Sequence, residues 1–243
     1  MSFWRLPGAF FYLIRKFSFF FVTAFLFSSF SFSVSAEGGV SIQGTRIIYP
    51  QNSRQESISL RNSSATDSFL VQSWIENANG KKSKDFIVTP PLYLSGPKNE
   101  NTLRLMLAAP DIAGDREVLY YFVAKAIPSI DSKDTSGRSV IRIAAASRIK
   151  LFIRPSGLKI KPEKAPAELS FKRLGKKIEI TNPTPYYITM TEIKHSGRSI
   201  AGVMVPPIGT MLLDTPSDSN NTLTFSTIND SGAITKPQTV IMK

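Results

Sequence analysis

The sequence predicts an all-β chain made of two tandem immunoglobulin-like β-sandwiches. Apolar residues alternate with polar ones over short runs, turn residues break those runs about every 8–12 residues, and no convincing helix interrupts the pattern. A proline- and charge-rich stretch then divides the chain near its middle. The first residues stand apart from this pattern. Arg5, Arg15 and Lys16 precede an apolar FSFFFVTAFLF from Phe17 to Phe27, and Val34-Ser35-Ala36 closes the segment with small residues. That order is the order of a secretory signal peptide, so residues 1–36 are expected to be cleaved after Ala36. The alternative is an uncleaved anchor, since 17–36 is about long enough to span a bilayer. Its serines and its small-residue ending favour the signal peptide. Removing 36 of 243 residues leaves 207, enough for one large or two modest domains.

The strands follow in order. VSIQGTRIIYP (40–50) alternates but carries Gly44, where a bulge or a switch of sheet fits. SISLRN (57–62) precedes a polar turn, and FLVQSWIEN (69–77) follows it, with Trp74 read as a core tryptophan. FIVTPPLYLS (86–95) holds Pro90 and Pro91, which confine it to an edge or a kink because proline donates no ladder hydrogen bond. NTLRLMLAA (101–109) and VLYYFVAKAIP (118–128) complete the run before the stretch from Ser139 to Pro155. Pro155-Ser156-Gly157 and KIKPEKAPAE (159–168) mark the junction. The first domain is therefore placed at 37–156 and the second, again short strands and turns, at 157–243.

Composition narrows the function. The formal charge is +12, or about +9 once three basic leader residues are removed. Such a charge suits nucleic acid, anionic lipid or an acidic partner. Export argues against nucleic acid, and the basic residues are scattered. There is no cysteine, which excludes disulfides, thiol catalysis and thiolate metal sites. The one histidine, His195, lies in KHSGR and reads as a surface turn residue without a nucleophile motif. No metal or phosphate motif is present either, so neither an enzyme nor a cofactor is expected.

The stretch SVIRIAAASRIKLFIRP (139–155) raises a question. Ile141, Ile143, Ala145, Ser147, Ile149, Leu151 and Ile153 share one face, because side chains in a strand repeat every second residue. At about 3.3 Å per residue the run spans roughly 45 Å, against roughly 17–20 Å for an ordinary strand. One small domain does not readily cover it. Taken alone, Ile141 and Ile143 read as ordinary core residues.

GTRIIYP near the start, WIEN at 74–77, TPP at 89–91, DREVLYYFVAKAIP at 115–128, SRIKLFIRP at 147–155, NPTPYY at 182–187 and IND at 228–230 together resemble the periplasmic pilus (fimbrial) chaperones of the chaperone–usher pathway. The likeness runs in order across the chain after the leader. It implies an L- or boomerang-shaped pair of sandwiches. In this family the chaperone lends a strand to a pilus subunit whose own sandwich lacks one. The run from Val140 to Ile153 would be that strand, with Ile141, Ile143 and Ala145 facing the subunit. Ala145 is smaller than the apolar residue expected there.

The resemblance also assigns charged residues. Arg46 and Lys150, each read alone as a surface charge, would bind the subunit's C-terminal carboxylate, and Arg148 stays on the surface. Glu117, Arg154 and Asp230 would form a structural network between the domains. The connection from Ser129 to Arg138 is short, as in the short-loop class of these chaperones. Implied partners are pilus subunits and an outer-membrane usher, with no nucleic acid, no stable membrane insertion after cleavage, and self-association through the exposed strand when empty. The implied location is the periplasm. The competing reading is an immunoglobulin-like structural or adhesive subunit of a surface fibre. EGGVSIQG, the expected mature start, enters a strand almost at once, which argues against a subunit with a donor extension.

Overall fold

The computed structural model describes residues 38–109, 112, 114–129, 143–215 and 221–242. The expected signal peptide, Ile141 and most of the 129–138 connection lie outside the described residues. The described residues form strands and turns, with one short 3-10 segment among them at Ala165–Glu168.

The first sandwich packs two sheets face to face. One holds β1 (Val40–Ile42), β3 (Glu56–Asn62), β7 (Glu100–Leu107) and β5 (Phe86–Thr89) in that order. The other runs β2 (Arg46–Pro50), β9 (Ala145–Arg154), β8 (Val118–Pro128), β4 (Phe69–Asn77) and β6 (Leu92–Ser95). The two punctuated runs are where the chain changes sheet. Gly44, at φ +139°, separates β1 from β2, and Pro90-Pro91 separates β5 from β6. Each proline-flanked strand ends its sheet, as a residue without an N–H donor requires. Tyr49, Leu60, Val71, Leu103, Phe122, Leu151 and Ile153 close the core between the sheets, fully buried.

The second sandwich has its own core, built on Ile180, Met190, Ile193, Val205, Leu223 and Phe225. One sheet is β10 (Ser170–Leu174), β11 (Lys177–Asn182) and β15 (Gly209–Asp214). The other is β13 (Arg198–Ile200), β12 (Ile188–His195), β16 (Thr222–Thr227) and β17 (Gln238–Ile241), with β14 (Val203–Val205) also on β12.

Two expectations are corrected. Trp74 is not a core residue. Val71, Ser73 and Ile75 fill the buried row of β4, so Trp74 points to the outer face, where its indole N–H donates to Glu76 (2.9 Å) and Lys82 lies over its ring (5.1 Å). His195 is not a surface turn residue either: it is 1% exposed, in the same row of β12 as Ile193. The turn begins one residue later, where Ser196 and Gly197 both take positive φ.

Candidate functional site

The long apolar row becomes a strand with two unlike halves. From Lys150 to Ile153, β9 is paired on both sides, antiparallel to β8 and parallel to β2. From Ala145 to Ile149 it is paired with β8 alone, because β2 begins opposite Lys150. The odd-numbered row follows the same division. Leu151 and Ile153 are fully buried, Ile149 packs partly on the first core, Ala145 is exposed, and Ile143, just before the strand, is 79% exposed. The row therefore leaves its own domain's core and continues into the open beside a strand edge whose backbone groups have no ladder partner among the described residues. Open edges with apolar side chains invite another strand.

On the other face of β9, Lys150, Phe152 and Arg154 meet the second domain. Arg46 and Lys150 stand directly opposite each other in the β2–β9 register. The switch of sheet at Gly44 resets the alternation, so Ile47 and Tyr49 take the core row and Arg46 lies outside it. Arg46 then turns to the junction, where it donates to the Ile228 carbonyl (3.0 Å) and lies 6.0 Å from the Phe152 ring centre. Its Nε is buried with no hydrogen-bond partner among the described residues. Lys150 donates to the Thr189 hydroxyl (3.3 Å).

Among the described residues no carboxylate lies within ion-pair distance of either cation. Burial holds the Lys150 ammonium below the ordinary lysine range, and the neighbouring Arg46 charge pushes it the same way. Burial likewise lowers Arg46, against the more distant pull of Asp230 and Glu117. Two half-desolvated cations side by side raise each other's electrostatic cost, and a carboxylate placed between them would relieve it.

Two residues along from Phe152, Arg154 gathers the acids. It donates to Glu117 (2.8 Å) and, through both terminal nitrogens, to Asp230 (2.6 and 2.8 Å). Glu117 is almost wholly buried, and its second oxygen accepts the Tyr187 N–H (2.8 Å). Burial pushes the Glu117 carboxyl above the usual carboxylate range, although Arg154 and the Tyr187 N–H oppose the shift. Arg154 is shifted upward on balance: burial alone would lower it, but the Asp230 hydrogen bonds and the two carboxylates outweigh that. Arg46, Arg154, Glu117 and Asp230 help line a cleft of about 380 Å³ between the domains, together with Ile48 and Phe152.

The fold thus brings Arg46 beside Lys150 and joins Glu117, Arg154 and Asp230. Ile143 and Ala145 lie apart, at the open end of β9, and Ile141 is outside the described residues. Sequence reading missed the second-domain groups that hold these side chains: the Ile228 carbonyl, the Thr189 hydroxyl, the Tyr187 N–H and the Tyr187 ring, 5.4 Å from Phe152. Backbone partners carry no residue signature. Tyr187, in NPTPYY, was the one legible piece.

Comparison with known proteins agrees with this architecture. Residues 39–159 match the domain described as "Pili and flagellar-assembly chaperone, PapD N-terminal domain", and 164–239 match "Pili assembly chaperone PapD, C-terminal domain". The probable fimbrial chaperone SfmC of Escherichia coli is 42% identical over 205 residues, covering 84% of this chain and 89% of that protein. The chaperone protein FimC of Escherichia coli is 42% identical over 209 residues, 86% of each. Among solved structures, the periplasmic chaperone SfaE superimposes with a TM-score of 0.73 at 40% identity, covering 84% of this chain and all of that one. A chain from the Salmonella enterica SafA pilin in complex with the SafB chaperone gives a TM-score of 0.76 at 26% identity, covering 86% and 99%.

Proposed function

This chain belongs to the pili assembly chaperone family, and on that premise we propose that it captures fimbrial subunits in the periplasm by lending them the outer half of β9. The observation that carries the reading is the one-sided pairing of Ala145–Ile149 beside an exposed apolar row. A subunit lacking one strand supplies both missing partners. Its edge takes up the free backbone groups, and its groove takes up Ile141, Ile143 and Ala145.

Arg46 and Lys150 fix the register by holding the subunit's terminal carboxylate through charge-assisted hydrogen bonds. Register matters because a slip of one residue would turn every apolar side chain out of the groove. Glu117, Arg154 and Asp230 hold the two sandwiches at the angle that forms the cleft. The protein works by binding rather than catalysis, and hands its client to an outer-membrane usher.

The test is periplasmic co-expression with a fimbrial subunit followed by co-purification. Wild-type protein should protect and retain the subunit, whereas Arg46→Ala and Lys150→Ala, still folded, should lose it. Retention by both variants would overturn the carboxylate anchor. Failure of the wild type to protect any subunit would overturn the strand-lending role.

A further inference from the structure

Arg46 does not stand by itself: what aims it comes from the second domain. Its guanidinium donates to the carbonyl of Ile228, the residue that enters the turn Asn229-Asp230-Ser231-Gly232. The turn is closed by the Gly232 N–H donating to the Asn229 carbonyl (2.9 Å) and braced by the Asn229 side chain, which accepts from the Ala233 N–H (2.9 Å) and the Ser231 hydroxyl (2.8 Å). Asp230, at its second position, holds Arg154. One turn therefore sets both the carbonyl that Arg46 leans on and the carboxylate that Arg154 pairs with.

The turn also comes close to the first domain at Gly232. Gly232 has φ +85°, and a Cβ there would overlap the Thr45 hydroxyl and stand 3.4 Å from the Thr45 Cβ. Thr45 is the residue before Arg46. Its side chain has heavy atoms at two of the three positions on Cβ, so rotation leaves it only one orientation that avoids such a neighbour. Unless Thr45 takes that one orientation, a side chain at 232 pushes the turn back from Thr45, and the Ile228 carbonyl moves with it.

We propose that Gly232 is a positioning residue for subunit capture: by letting the Asn229–Gly232 turn close onto Thr45, it sets the direction of the Arg46 guanidinium and so the recognition of a terminal carboxylate. This rests on the reading of Arg46 as the carboxylate anchor. Gly232 touches no client itself and acts through Ile228 and Arg46.

The test measures binding of the C-terminal strand peptide of a fimbrial subunit, as free acid and as amide, to the full mature protein. Wild type should prefer the acid by about tenfold or more, the worth of a charge-assisted contact. Gly232→Ala should reduce that preference to within about threefold while the amide binds as before. Thr45→Ala added to Gly232→Ala removes the obstructing hydroxyl and methyl and should restore the preference, although alanine remains strained at positive φ and thermal stability stays lowered. A purely structural role would not give this separation.

Undiminished discrimination in folded Gly232→Ala overturns the proposal, as does failure of the Thr45 change to restore it. If Gly232→Ala does not fold, Asn229→Ala loosens the same turn from an exposed position and should lower the preference too; an unchanged preference there is contrary. Arg46→Ala separates the two levels. If it leaves the acid preference intact, the anchor reading falls and this inference with it; if it abolishes the preference and Gly232→Ala does not alter it, only this inference falls.

Discussion

The two halves of β9 share one alternating pattern and meet opposite surroundings. From Lys150 to Ile153 the strand has neighbours on both sides, and Leu151 and Ile153 are sealed between the sheets. From Ala145 to Ile149 it has one neighbour, and the same row is exposed or half-covered. An apolar row alone therefore does not say whose core it belongs to. The length of the neighbouring strand decides: β2 reaches only to Lys150, and the outer half keeps an open edge.

The sharpest contrast should appear on truncating one residue from each half. Leu151→Ala opens a cavity in a sealed core and should cost about 2–5 kcal/mol in chemical denaturation. Glu117→Gln, at the sealed end of the sheet, should also destabilise, at or below the lower end of the roughly 3–5 kcal/mol typical of a broken buried pair, because Asp230 still holds Arg154. Ile143→Ala should leave stability within about 0.5 kcal/mol, yet weaken subunit binding by at most about 1.5–3 kcal/mol, read by titration calorimetry. A large loss of stability from Ile143→Ala would mean that the row belongs wholly to its own domain.

A smaller effect should appear with pH. In the free protein burial and Arg46 lower the pKa of Lys150, and a bound carboxylate raises it. The complex therefore holds that proton more tightly, and affinity should fall as pH rises through the lowered pKa of the free protein, below the ordinary lysine range. Lys150→Arg, which keeps its charge, should flatten the profile; an unaltered slope would remove Lys150 from the anchor.

Much of this was legible because the signals are local. Alternation located the strands, Gly44 marked a bulge or a switch of sheet, and Pro90-Pro91 marked an edge or a kink, each through limits on its own backbone. Trp74 and His195 were misread although the needed signal was present: Trp74 is out of phase with Val71 and Ile75, and His195 is in phase with Ile193. Residue type was given more weight than parity. The junction is a different case. Glu117, Arg154 and Asp230 meet across separations of 37 and 76 residues, and Arg46 reaches Ile228 across 182. No periodicity spans such distances, so only the family resemblance could suggest the first set, and nothing in the sequence pointed to a backbone carbonyl.

Amide hydrogen exchange along β9, with and without a bound fimbrial subunit, tests the division of that strand most directly. In the free protein the outward-facing amides of Ala145–Ile149 should exchange rapidly, while those of Lys150–Arg154 are protected. Subunit binding should slow exchange in the outer half and leave the inner half as it was. Unchanged exchange from Ala145 to Ile149 in a complex that nevertheless forms would mean that the subunit is held elsewhere and the strand is not lent.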